Sequence, residues 1–175
     1  YEKGGIWIDS DMVLLDQIPN NEFIITTEHT FQSGWRKSKL HYKPNIGILK
    51  FNKNNKFINN VIKRIEKYSL LDIPQFTDNM RFFQDELKKN KQYEKYYLEP
   101  NLTCAIPWWD FKEIYKSVET YTIKYDVKVK DNKWILNNSI GLHLWNNFTI
   151  NNKIDINSAD EKSIFKILCN IYGKS

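Results

Sequence analysis

Tyr1-Glu2-Lys3-Gly4-Gly5-Ile6-Trp7-Ile8-Asp9-Ser10-Asp11 opens the chain. The Gly4-Gly5 pair leads into a short apolar run, Ile6 to Ile8, that reads as a strand with two carboxylates at its end. A strand turns alternate side chains to opposite faces, so continued extension predicts Asp9 and Asp11 on one face with small Ser10 between them. Two like-sided carboxylates make a hard-oxygen site for Mg²⁺ or Mn²⁺, ions bound through one or two carboxylates plus substrate phosphates. The pattern points to chemistry on a diphosphate. The competing reading makes both residues solvated turn formers, a common use of Asp. A calcium loop of the EF-hand type is excluded, because its sixth and twelfth positions, counted from Asp9, hold Leu14 and Asn20 instead of Gly and Glu.

The far end of the chain carries Ser139-Ile140-Gly141-Leu142-His143-Leu144-Trp145-Asn146-Asn147, a second short apolar strand with a histidine near its end. By itself His143 reads either as a packed, hydrogen-bonded residue or as a ligand. A third stretch, Ala105-Ile106-Pro107-Trp108-Trp109-Asp110-Phe111-Lys112, lies between the two. Taken together and in this order, the three stretches resemble the DXD-containing glycosyltransferases of the GT-A fold, in the sugar-binding-region DXD group of family 32. The nearest likeness is to the alpha-1,4-glycosyltransferases related to globotriaosylceramide synthase. The matched features are the Gly-Gly-strand-DXD block, an Ile-Pro-Trp segment followed by an aromatic and Lys, and a His-x-Trp-Asn close.

The resemblance implies an α/β, GT-A-like fold and roles for the matched positions. Asp9 and Asp11 are the catalytic pair, with Asp11 a direct metal ligand and Asp9 on the metal or the donor ribose. His143 completes the metal or diphosphate contacts, and Trp145 packs under the donor diphosphate or helps close the site. Asn45, in Pro44-Asn45-Ile46-Gly47-Ile48-Leu49, resembles a segment lining the sugar pocket, and Gly4 and Gly5 join the donor-binding set. The implied cofactors are Mn²⁺ or Mg²⁺ and a nucleotide-sugar, a UDP-sugar by preference. The implied acceptor is a hydroxyl of a glycan, glycolipid or glycoprotein, with retention of anomeric configuration. One departure stands out: the family's Gly-Pro at the head of the intervening helix is absent from Gln75-Phe76-Thr77-Asp78-Asn79.

The 175 residues (21.0 kDa) read as a single domain, 1–175, large enough to bury a core. The resemblance places the DXD strand after a subdomain of βαβ units that this sequence does not include. The chain is therefore expected to be the C-terminal, catalytic and acceptor portion of a GT-A enzyme. With 41% hydrophobic and 15% aromatic residues the composition is globular, not disordered. The net charge of +5 comes with Lys runs such as Lys88-Lys89-Asn90-Lys91 that read as solvated surface. No zinc spacing or nucleic-acid-reading signature accompanies them, so no nucleic-acid partner is expected. Cys104 and Cys169 make no redox or zinc motif and read as free thiols in preference to one disulfide. No stretch approaches 18 apolar residues, which leaves membrane association to an anchor upstream of Tyr1. The expected location is a Golgi-type membrane or lumen in a eukaryote, and the cytoplasm in a bacterium or virus.

Along the chain, residues 22–27 and 46–51 read as strands and 28–43 as a mixed-charge loop over the site. Helical periodicity covers 54–71, and Thr77 reads as the N-cap of a helix over 78–89 with Met80, Phe83 and Leu87 on one side. Tyr93 to Leu98 leads toward a strand, 110–118 reads as a short helix, and 120–130 as a strand or hairpin. Asp110 reads as a carboxylate near the acceptor or as a helix N-cap. Ser158-Ala159-Asp160-Glu161 has the capping-box pattern, ahead of a helix burying Ile164, Phe165, Leu168 and Ile171. Alternating strands and helices argue for α/β. Two rival functions fit parts of this pattern. One is a non-catalytic carbohydrate-binding domain descended from such an enzyme, using Trp108, Trp109 and Trp145. The other is a metal-dependent phosphoesterase at Asp9 and Asp11, which lacks the further ligands of a two-metal site.

Overall fold

The computed structural model describes residues 2–31, 40–67, 76–117 and 132–173. The expected strand or hairpin over 120–130 and Trp35 of the expected loop lie outside them. Among the described residues the fold mixes α and β structure, with two small sheets whose named strands pair antiparallel. The first sheet has the order β1 (Gly5–Ile8), β4 (Leu40–Phe51), β3 (Phe23–Phe31). The second pairs β2 (Met12–Leu14) with β5 (Gly141–His143).

Much of the stretch expected as a loop over 28–43 is strand instead. Glu28 to Phe31 extends β3, and Leu40 to Lys43 begins β4. The polarity of Glu28 and His29 hid the continuation of the strand past Thr27, yet both are buried. Pro44 is compatible with β4 because β1 reaches only as far as the Ile8–Ile48 pair, so at Pro44 the strand has a neighbour on one side only.

The β3–β4 register breaks between Ile25, opposite Leu49, and Thr26, opposite Asn45. Ile46, Gly47 and Ile48 are thereby left without counterparts on β3 and form a bulge. The fully buried Thr26 hydroxyl organises it, accepting the Ile48 N–H at 3.1 Å and donating to the Asn45 carbonyl at 2.9 Å. Gly47 is required at its crest, where a Cβ would stand 2.8 Å from Asn45 Oδ1 and 3.3 Å from the Met12 sulfur.

One core joins this sheet to helices α1 (Lys56–Ile65) and α2 (Phe76–Lys89) through Phe23, Ile25, Phe57, Val61, Phe83 and Leu87. Phe57 is fully buried, so its ring alone contributes about 2–3 kcal/mol of transfer free energy. Helix α1 starts two residues later than expected, with Asn55 Oδ1 capping Ile58 N–H at 3.2 Å, and ends at Ile65 instead of running to 71. Helix α2 already includes Phe76 and Thr77, so Thr77 is not its cap. Between the helices a buried Glu86 accepts from the Asn60 and Asn90 amides at 3.0 and 2.9 Å, with Arg64 3.6 Å away.

A second core gathers Ile106, Phe111, Ile114, Leu142, Ile164 and Leu168. The segments Lys91–Tyr96 and Trp108–Tyr115 are 3-10 helices. Asp110 sits at a kink within the latter, buried and third from its start, so it is not the N-cap. Three short helices follow: α3 (Asn132–Asn138), which the sequence reading missed, then α4 (Asn146–Asn151) and α5 (Ile164–Tyr172). The cap of α5 is Ser163, whose hydroxyl accepts the Lys166 N–H at 3.2 Å, and not Ser158. Ile164 and Leu168 are buried as expected, whereas Ile171, in the last turn, is 59% exposed. Both cysteines are free, Cys104 buried and Cys169 exposed. No helix among the described residues is long and apolar enough to cross a membrane.

Candidate active site

The site forms where the two sheets meet. The chain leaves β1 at Ile8, turns through Ser10 and Asp11, and enters β2 at Met12. The turn closes with Met12 N–H donating to the Asp9 carbonyl at 3.0 Å. Asp9 and Asp11 thus converge through a turn, not through the strand alternation expected for them. The bulge supports the turn from beneath, with the Asp9 N–H donating to the Gly47 carbonyl at 2.9 Å.

His143 reaches the same place from the other sheet. Its N–H donates to the Thr103 carbonyl at 3.1 Å, while Leu144 N–H donates to the Asp11 carbonyl at 2.8 Å. Ligand atoms of Asp9, Asp11 and His143 all lie within 4.8 Å of one another. Each carboxylate is already aimed. The Trp7 indole N–H donates to Asp9 Oδ1 at 2.8 Å. Asp11 Oδ1 is 3.0 Å from His143 Nε2, and Asp11 Oδ2 accepts the Asn146 N–H at 3.0 Å. The His143 hydrogen bond, aided by its charge and the Asn146 N–H, holds the Asp11 carboxyl below its usual range despite partial burial. Asp11 is therefore ionised at neutral pH, as a metal ligand must be.

Trp145 aligns these contacts. It adopts a left-handed backbone (φ 55°), rare for a bulky residue, which swings the chain into α4 and brings Asn146 N–H onto Asp11. Its indole N–H donates to the Ile106 carbonyl at 2.8 Å, and its ring lies 3.9 Å from that of His143. The buried His143 Nδ1 has no hydrogen-bond partner among the described residues. Two carboxylates and an imidazole fit a divalent ion. The oxygens suit Mg²⁺ or Mn²⁺, and the imidazole moves the preference toward the transition ion.

These residues line a cavity of about 830 Å³, ample for a small-molecule ligand. One wall is Trp7 to Asp11; another is Glu28, Lys43, Pro44, Asn45 and Ile46 of the hairpin. Met80 and Gln84 enter from α2, and His143 with Trp145 to Phe148 close the third side. Of the residues expected from sequence, Asp9, Asp11, Asn45, His143 and Trp145 are brought together. Gly4 and Gly5 are not among the lining residues. They lie at the opposite end of β1, with φ of 68° and 120°, where a Cβ on Gly4 would stand 2.5 Å from the Lys53 nitrogen. Their positive φ serves the backbone turn into the strand. Asp110 is not a lining residue either.

Sequence reasoning missed Trp7, Glu28, Lys43 and Gln84. Trp7 was legible as the same-face neighbour of Asp9 on a strand, and Gln84 as the residue one turn beyond Met80. Glu28 and Lys43 lay in the supposed loop and gave no signal. They form a directly opposed cross-strand pair, Glu28 Oε1 to Lys43 Nζ 2.7 Å.

Residues 75–172, more than half of the chain, match the alpha 1,4-glycosyltransferase conserved region. The chain belongs to that family and is a glycosyltransferase. The matched stretch carries His143 and Trp145, while Asp9 and Asp11 precede it. No curated protein and no solved structure matches the chain.

Proposed function

We propose that this glycosyltransferase moves a hexose from a nucleotide-sugar, a UDP-hexose by preference, to a hydroxyl of a glycan, glycolipid or glycoprotein, with retention at the anomeric carbon. The observation that carries the reading is the convergence of Asp9, Asp11 and His143 within 4.8 Å on the wall of the cavity. In this reading the chain, 1–175, is the catalytic and acceptor portion of a GT-A-like domain.

Asp11 would be the principal metal ligand, with Asp9 and His143 completing the protein's share. Mn²⁺ or Mg²⁺ held there would supply positive charge toward the leaving nucleoside diphosphate, a large contribution in a preorganised site. The protein's own part is to fix that arrangement. Trp7 and Asn146 hold the two carboxylates in place before the donor arrives, and Trp145 keeps His143 against them. Lys43 is the only Lys or Arg among the described lining residues and is placed to meet the anionic donor.

The test is calorimetric titration of UDP into the longest form of the protein that expresses, with and without Mn²⁺, beside Asp11→Asn. Binding that needs both the metal and the Asp11 charge supports the reading. Affinity for UDP that ignores the metal and the substitution refutes it.

A further inference from the structure

Both polar ends of the Asn45 amide are engaged within the wall itself. Its Oδ1 accepts the Gly47 N–H at the bulge, and its Nδ2 donates to Glu28 Oε2 at 2.9 Å. The wall it belongs to still carries a strong acceptor, because Glu28 is only 7% exposed yet lines the cavity. A carboxylate offers about four acceptor positions. Among the described residues Lys43 takes one on Oε1 at 2.7 Å and Asn45 one on Oε2, which leaves one on each oxygen. An apolar residue would wall the pocket without desolvating a charge. A carboxylate locked from both sides is instead what recognition of neighbouring hydroxyls requires, since two O–H donors on adjacent ring carbons can each find an oxygen.

We propose that Glu28 reads the ring hydroxyls of the donor hexose, and that Asn45 is its positioning residue. This deepens the UDP-hexose reading above and rests on it. Lys43, at the same wall, neutralises the Glu28 charge so that the carboxylate accepts hydroxyls without repelling the diphosphate. Sugar choice then follows from which hydroxyls point at Oε1 and Oε2, because a buried acceptor facing a wrongly placed hydroxyl is left unpaired.

The experiment measures Kd for UDP, UDP-galactose, UDP-glucose and UDP-N-acetylglucosamine, each with Mn²⁺, in wild type, Glu28→Gln and Glu28→Asp, with a thermal melt of each protein. Glu28→Gln should bind UDP no more weakly than wild type does. It should lose about tenfold for the best UDP-hexose, the value of a charge-assisted hydrogen bond. Glu28→Asp keeps the charge but withdraws it by one methylene, and should reorder the three sugars; it decides the matter if Glu28→Gln fails to melt cooperatively. Equal weakening of UDP and UDP-hexose, or no change in either, overturns the assignment. Absence of metal-dependent UDP binding in the wild type would sink the donor reading itself, a result separable from loss of sugar discrimination alone.

Discussion

Replacing His29 with Phe should flatten the acid limb of the stability curve. His29 is 3% exposed on β3, its ring edge-on to Tyr42 with centroids 5.4 Å apart. Neither ring nitrogen has a hydrogen-bond partner among the described residues. Burial disfavours the charged imidazolium and pushes its pKa from 6.5 down to about 4. The folded value lies below the unfolded one, so between those pH values the unfolded chain binds more protons and stability rises with pH. The contribution is intact above about pH 6.5 and is lost as pH falls toward 4. A shift of this size corresponds to about 3 kcal/mol, a large share of a typical domain's stability. His29→Phe keeps the ring contact with Tyr42 and removes both unpaired nitrogens. At pH 7 its stability should be within about 1 kcal/mol of wild type. The assay is urea unfolding of both proteins across this pH range, read as the difference between the two curves, in which other titrating groups cancel. The variant should gain on wild type by up to about 3 kcal/mol at the acid end. Parallel curves would refute the claim that His29 is held neutral by burial.

Gly47→Ala should be destabilising by about 1–3 kcal/mol, since its methyl would press on Asn45 Oδ1 and Met12. It should also weaken UDP-hexose binding through Asn45 and Glu28; unchanged melting and binding would show that the bulge yields freely. Asp11→Asn keeps the size of the side chain and its contact with Asn146, so it should cost about 1 kcal/mol in stability while losing Mn²⁺-dependent UDP binding. His143→Ala should weaken that binding at least severalfold. A change in melting temperature with metal-dependent affinity intact would make His143 a packing residue only.

Polarity is what limited the reading of the sequence. Where a buried face was apolar, as in Phe57, Ile58 and Val61 of α1 or Ile164 and Leu168 of α5, periodicity located the element. Glu28 and His29 are equally buried but polar, so the strand was cut at Thr27 and its continuation, with that wall of the cavity, passed for a loop. Caps shifted too: Ser158 and Ser163 offer the same hydroxyl chemistry, and packing of Ile164 and Leu168 against the second core selects the later start.

By itself the sequence determined the inventory: a strand ending in Asp9-Ser10-Asp11, a distant His143 beside Trp145, and the family to which the chain belongs. Those are properties of local pattern, and local pattern survives in one dimension. Only the tertiary structure decided that Asp11 and His143, 132 positions apart, stand 3.0 Å from each other. It also decided that a turn, not an extended strand, aligns the two aspartates, and that Asn45 spends its amide on Glu28. Contacts of that kind depend on strand pairing and on a bulge three residues deep, set by the packing of both cores and not by any neighbouring residue's preference.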